Sequence, residues 1–267
     1  MAEPGVYAVV PAAGRGRRLG AGTAKIMVEI ADGVRLWHLL HRRLRPWVAH
    51  LRVVVAPDTE AAFRDLAAAE IRAGEVSVSV QDQPRGMGDA VFGTAGDWAG
   101  HDAVLVVWGD QVGLSTATVG RVVAAHRRAT AAGRPGLALP LVALPDPYVE
   151  YEVTPADAAS EQDYLVKLCG VRQSREGQPC RPGGLSDVGV FCLSTRGLAA
   201  AWRDYLADAQ VGTATGEVNF LPFLPYLSQV RGWAVRVVPV DDPEQARGVN
   251  TPQDLAHARA TFRRCGG

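Results

Sequence analysis

The sequence predicts an α/β protein built on a doubly wound, mostly parallel sheet. Two observations predict it. Short apolar runs alternate with helix-patterned stretches as far as residue 143, and the connections between them are short, which is the rhythm of βαβ units. After about Pro145 the rhythm changes to strand-like runs separated by polar, turn-rich segments. These read as a β insertion within one domain. The 267 residues are 48% hydrophobic and 21% charged, which is ordinary globular usage and argues against disorder.

The elements follow in order. Residues 5–11 (GVYAVVP) read as a buried strand and 12–22 as a glycine-rich loop. Residues 36–49 carry helical apolar spacing, 51–56 a second strand and 60–72 a helix. A third strand is VSVSV at 76–80, followed by a polar turn and a helix. The fourth, AVLVVW at 103–108, ends at Gly109-Asp110. A helix at 116–132 leads to a fifth strand at 137–143. Strands are then expected at 148–154, 164–173 and 186–193, and a helix at 196–209. Residues 217–230 are ambiguous because Pro222 and Pro225 interrupt a helical pattern. A strand at 234–239 precedes a final helix at 251–264, with Thr251 as N-cap, Pro252 at the first helical position and Asp254 in the first turn.

Lys+Arg and Asp+Glu both number 28. This balance argues against a general nucleic-acid binder, which would carry a basic excess. No apolar run reaches the length of about 18 residues that a membrane span needs. The N-terminal residues lack the basic start and long apolar core of a signal peptide, so a cytoplasmic location is expected, with no membrane partner. Cys169, Cys180, Cys192 and Cys265 show no CxxC spacing and no accompanying His cluster. Reduced thiols are expected rather than a zinc site or a disulfide framework. Only Lys25 and Lys167 among the basic residues are lysine. Where arginine is the default cation, a lysine that persists points to a need for a compact ammonium.

Four segments could carry chemistry. PAAGRGRRLGAGTAK, from Pro11 to Lys25, leaves the first strand with small residues and glycines that let backbone amides approach an anion. Its spacing is neither the dinucleotide fingerprint nor a Walker A loop. QDQPRGMGDA, from Gln81 to Ala90, offers amide groups and two glycines. VLVVWGDQ ends a strand in Trp108-Gly109-Asp110, at the sheet edge where α/β proteins bind ligands and where an acid can hold Mg²⁺ against phosphates. GVNTPQDL places Asn250 just before the last helix, as a second hard oxygen. Each alone also reads as an ordinary turn or helix cap. Their order and separation together are far more specific.

In that order, the chain resembles the sugar-1-phosphate nucleotidyltransferases, in particular the uridylyltransferase half of the bifunctional enzyme that makes UDP-N-acetylglucosamine. The resemblance rests on residues 12–19 (AAGRGRRL), Lys25, Gln81 through Gly86-Met87-Gly88-Asp89-Ala90, Trp108-Gly109-Asp110 and Gly248-Val249-Asn250, and spans about residues 6–258. No hexapeptide repeat is read in the chain, so the acetyltransferase half is not expected. The resemblance implies a Rossmann-like doubly wound, mostly parallel sheet with a substrate-binding β insertion. Its nucleotide part would be about 1–145, its sugar-phosphate part about 146–250 and its C-terminal helix 251–267. It implies that Gly14, Gly16, Arg17 and Arg18 hold a triphosphate, and that Ala12, Ala13, Gln81, Gly86, Met87 and Trp108 line the nucleotide site. Lys25, Arg18 and Asp110 would be catalytic, Asp110 and Asn250 would bind Mg²⁺, and Gln173, Asp187, Glu217 and Asn219 would face the sugar. The implied reaction joins an NTP, UTP or GTP, to a sugar-like 1-phosphate with release of pyrophosphate.

The departures from the family pattern cluster on the sugar side. Gln173 stands for a family Glu, Asp187 for an Asn, and only Glu217 persists of an E-x-Y-x-T-D segment. On the nucleotide side Met87 stands for Thr and Asp89 for His. A hexose phosphate other than N-acetylglucosamine 1-phosphate is therefore expected, or a cyclitol phosphate of the kind used in aminocyclitol antibiotic pathways. Two rivals remain at this point: a cytidylyl- or molybdopterin-type nucleotidyltransferase, and a catalytically silent regulator that binds an NDP-sugar. The oligomeric state is left open, a homo-oligomer included.

Overall fold

The carboxyl edge of one large sheet organises the protein. The computed structural model describes residues 5–264 apart from Arg15, Arg17, Arg18, Ala21, Pro84, 157–162 and 213–215. In chain order the elements are β1 (Val6–Pro11), β2 (Glu29–Ala31), β3 (Val34–Arg35), α1 (Leu36–Leu44), β4 (His50–Val55), α2 (Glu60–Leu66), α3 (Ala68–Arg72) and β5 (Val76–Val80). Then come α4 (Met87–Phe92), α5 (Ala95–Trp98), β6 (Ala103–Val107), α6 (Thr116–Thr130), β7 (Gly136–Ala143), β8 (Val149–Pro155) and β9 (Tyr164–Gln173). The chain closes with β10 (Leu185–Asp187), β11 (Val190–Ser194), α7 (Leu198–Asp208), α8 (Phe223–Gln229), β12 (Ala234–Pro239) and α9 (Pro252–Arg264).

The sheet order is β5-β4-β1-β6-β11-β7-β12-β9-β8, with β10 paired to β7. Pairings β4–β5, β1–β4, β1–β6 and β7–β12 are parallel. The expected doubly wound α/β sheet is thus present, with one feature that strand order along the chain does not show. The antiparallel β11 lies between β6 and β7 and pairs with both. Helices cover the two faces, which is why the central strands are continuous apolar runs rather than alternating ones. Val6, Ala8 and Val10 point to a core shared with α1 and α6, while Tyr7 and Val9 point to a second core with α4, α7 and α8. The second core is rich in aromatics. Trp202 stacks on Phe92 at 4.6 Å between ring centroids and meets Phe223 edge-on at 5.0 Å.

Three expected elements differ from the structure. The strand expected at 186–193 is two strands, β10 and β11, broken at Val188-Gly189. Gly189 has φ +75°, and its N–H donates to Asp187 Oδ1 at 2.7 Å, which turns the chain out of register with β10. The ambiguous segment at 217–230 resolves into a loop and α8. Pro222 is the N-cap of α8, and Pro225 falls in its first turn, where a missing N–H costs no intrahelical bond. The helix expected at 60–72 is interrupted at Ala67, for which no side chain gives a reason. The β2–β3 hairpin was not expected, although Asp32-Gly33 between its strands is a recognised hairpin signal.

Cys169, Cys180 and Cys192 are free thiols, and Cys265 lies outside the described residues. Among the described residues, no helix is long and apolar enough to cross a membrane.

Candidate active site

Two strand ends meet to make the floor of the site. Beyond β1, Ala12 N–H donates to Val54 O at 2.7 Å, so the parallel pairing continues one residue into the glycine-rich loop. Beyond β6, Gly109 N–H donates to Pro11 O at 3.3 Å. A Cβ at Gly109 would sit 2.9 Å from that oxygen and 3.0 Å from Ala12 Cβ, so only glycine lets the two strand ends come this close. Asp110 is thereby delivered beside the loop.

The late GVN segment is stitched to the same edge. Val249 N–H donates to Asp110 O at 2.9 Å, and Gln111 and Gly248 form an antiparallel bridge. Asp254 then fixes the next residues. Its Oδ2 accepts from Asn250 N–H at 3.1 Å and Thr251 N–H at 2.9 Å, while Thr251 Oγ1 accepts from Asp254 N–H at 3.2 Å. This reciprocal cap starts α9 and holds Asn250 in place. Asp254→Ala is expected to cost about 1 kcal/mol of stability, read as a fall in Tm of about 2–4 °C by thermal denaturation.

The result is a three-residue cluster drawn from distant parts of the chain. Lys25 Nζ donates to Asp110 Oδ2 at 2.8 Å and to Asn250 Oδ1 at 2.6 Å. The side chains of Lys25 and Asp110 are only 20% and 21% exposed. At that depth the pair is screened far less than a surface ion pair.

The cluster lines a cleft of about 510 Å³. Ala12, Ala13, Gly14, Gly16, Gln81, Gly86, Met87, Trp108, Gln173, Glu217 and Asn219 also line it. The residues implied for nucleotide and those implied for sugar thus face one space. Glu217 joins the two ends, because its Oε2 would be 3.1 Å from a Cβ on Gly86. Burial raises the Glu217 carboxyl above its ordinary value, and the nearby Arg175 guanidinium partly offsets this. Asn219 Nδ2 donates to Glu176 Oε1 at 3.3 Å. Arg17 and Arg18 lie outside the described residues.

Asp187 is not among the cleft-lining residues. It is 8% exposed and lies against Trp108 and the buried Tyr151. Burial raises its carboxyl, and the Gly189 N–H and Tyr151 oppose the rise. Sequence reading also passed over Arg175 and Tyr148, which line the cleft. Neither belongs to a motif, and only the placement of the insertion brings them there.

Two hard oxygens, Asp110 Oδ2 and Asn250 Oδ1, converge on one cation, the Lys25 ammonium. Hard oxygen donors that leave room for phosphate oxygens and waters are the set a divalent cation such as Mg²⁺ prefers. The residues present therefore fit such a metal.

The fold and this site define a nucleotidyltransferase-type protein. The chain belongs to the family with a MobA-like NTP transferase domain, whose model matches residues 8–212. Two relatives named bifunctional protein GlmU match nearly the whole chain. The one from Anaeromyxobacter sp. (strain K) is 30% identical over 94% of this chain and 48% of its own length. The one from Mycolicibacterium vanbaalenii is 28% identical over 96% of this chain and 50% of its own. The chain thus spans about half the length of these curated relatives. Among solved structures, a UDP-glucose pyrophosphorylase complexed with UDP-glucose superposes with a TM-score of 0.71 at 14% identity, covering 97% of this chain and 98% of that one. A Bacillus anthracis protein described as a putative glucose-1-phosphate thymidylyltransferase gives 0.67 at 14% identity, over 97% and 95%. The resemblance to sugar-1-phosphate nucleotidyltransferases read from the motifs is borne out, and the structural neighbours share the fold.

Proposed function

We propose that the protein is a Mg²⁺-dependent sugar-1-phosphate nucleotidyltransferase. An oxygen of the acceptor phosphate attacks the α-phosphorus of an NTP, the bond from that phosphorus to the bridging oxygen breaks, and pyrophosphate leaves. The observation that carries this reading is the Lys25–Asp110–Asn250 cluster lining one continuous cleft, between the glycine-rich loop and the β insertion. The attacking phosphate oxygen is already an anion, so no general base is needed. Catalysis then rests on positioning and on neutralising charge.

The residues divide the work. The small residues Ala12, Ala13 and Gly14 let the triphosphate lie close to backbone. Gln81 and Gly86 face the base. The Lys25 ammonium is held between two oxygens and is free to follow charge toward the leaving pyrophosphate. Asp110 and Asn250 would hold Mg²⁺, which when bound supplies charge neutralisation to the phosphates. Gln173, Glu217 and Asn219 present the acceptor end with an amide, a carboxylate and a second amide.

The acceptor is tested by a matrix of NTPs against sugar and cyclitol 1-phosphates, read as pyrophosphate release. Gln173 lines the cleft as a neutral amide where the family pattern has a carboxylate, which changes the partners offered to ring substituents. N-acetylglucosamine 1-phosphate is expected to have kcat/KM at least about tenfold below that of a hexose or cyclitol 1-phosphate lacking the N-acetyl group. If it is the best acceptor, the pocket substitutions carry no specificity. Absence of pyrophosphate release with every NTP and every acceptor would remove the enzymatic reading.

A further inference from the structure

Gln81 is held in one orientation by Asp89, a motif position that departs from the family pattern and to which no role in the site was assigned. Its Nε2 donates to Asp89 Oδ2 at 2.8 Å and to Gly86 O at 3.0 Å. Both amide hydrogens are therefore used. An Asp carboxylate and a backbone carbonyl are acceptors only, so an amide turned the other way would set its oxygen against two oxygens. The flip of Gln81 is thus chosen by chemistry rather than left free. Gln81 Oε1 has no hydrogen-bond partner among the described residues, and Gln81 lines the cleft next to Ala12, Ala13, Gly14 and Gly86.

We propose that Asp89 is a positioning residue for nucleobase selection: it locks Gln81 with its carbonyl outward, so that the site takes a base offering a ring N–H and rejects one offering a ring nitrogen lone pair. Uracil, thymine and guanine carry such an N–H. Cytosine and adenine present an acceptor at the corresponding ring nitrogen, and two acceptors face to face leave both unpaired. Asp89 itself is exposed at the first turn of α4, so it acts through Gln81 and not as a packing residue.

This proposal rests on the nucleotidyltransferase reading, and the experiment separates the two. Pyrophosphate release is measured with one active acceptor and UTP, CTP, GTP and ATP, each as kcat/KM. Binding of UTP and CTP without acceptor is measured by calorimetry. Within the ring size that the enzyme turns over, the N–H base is expected to win by about tenfold or more, the scale of one unpaired hydrogen-bonding group. In Asp89→Asn the new amide can donate or accept, so Gln81 can turn. The UTP-to-CTP ratio, or the GTP-to-ATP ratio, should then fall about tenfold, carried by KM more than kcat, with the calorimetric affinities moving in parallel. A purely structural role for Asp89 would lower both members of a pair together. Turnover with no preference for the N–H base, or a ratio unchanged in Asp89→Asn, would overturn the proposal while leaving the enzymatic reading intact. No pyrophosphate with any triphosphate, together with no nucleotide binding, would overturn both.

Discussion

Asp110→Asn is expected to lower kcat at least about a hundredfold, the scale of removing one preorganised electrostatic group. The substitution keeps the shape of the side chain and its backbone partners. Asp110 O still accepts from Val249 N–H, and Gly109 still closes on Pro11. What changes is charge. The Lys25 ammonium, now 2.8 Å from a carboxylate, would face a neutral amide. A partly buried cation without its counter-charge is poorly held, and a divalent metal would lose its only anionic protein ligand in the cluster. The effect should therefore appear in kcat and in the Mg²⁺ concentration needed for half-maximal rate. Raising Mg²⁺ should recover only part of it. Near-normal turnover at saturating Mg²⁺ in a pyrophosphate-release assay would show that Asp110 is an ordinary strand-end cap.

Lys25→Ala is expected to reduce kcat by about a hundred- to a thousandfold, and Lys25→Arg to lose more in kcat than in NTP affinity. The ammonium reaches Asp110 Oδ2 and Asn250 Oδ1 at once, as a compact donor with three rotatable hydrogens. A guanidinium keeps the charge but is planar and larger, so it fits the two oxygens without the freedom to follow a moving charge. Binding depends mainly on charge and should be largely kept, whereas the transition state depends on geometry and should not be. Turnover measured beside nucleotide affinity by calorimetry separates the two. An arginine variant with full activity would show that charge alone matters at this position.

Much of this site was legible in the sequence, and for a physical reason. Small residues in consecutive positions after a strand let the backbone come close to a ligand, so Ala12-Ala13-Gly14 could be picked out locally as cleft-lining residues. A residue at the carboxyl end of a parallel strand faces the ligand crevice whatever its distant neighbours are, so Asp110 could be placed from one apolar run. The cap formed by Thr251 and Asp254 is likewise a matter of three-residue spacing. Asp187 shows the limit. Its position in the chain suggested the sugar site, but one turn at Gly189 ties its carboxylate to the Gly189 N–H, and the residue is not among those that line the cleft.

The sequence by itself determined the alternation of strands and helices, the two-faced burial of the central strands and the residue types that gather at the carboxyl edge of the sheet. Only the tertiary structure decided what these residues touch. Lys25 and Asn250 are 225 positions apart and meet because the segment before α9 pairs with the end of β6. The antiparallel β11 enters between β6 and β7, so the strand that follows β6 in the chain is not its neighbour in the sheet. Gln81 lines the cleft with its amide nitrogen bonded to Asp89 and Gly86, residues that the turn before α4 brings to it. Local patterns are set by short-range sterics and by the periodic burial of side chains, which a sequence displays directly. Which edge pairs with which, and which of two amide faces points into a site, is set by long-range pairing, where register and hydrogen-bond satisfaction choose among arrangements that local patterning leaves equal.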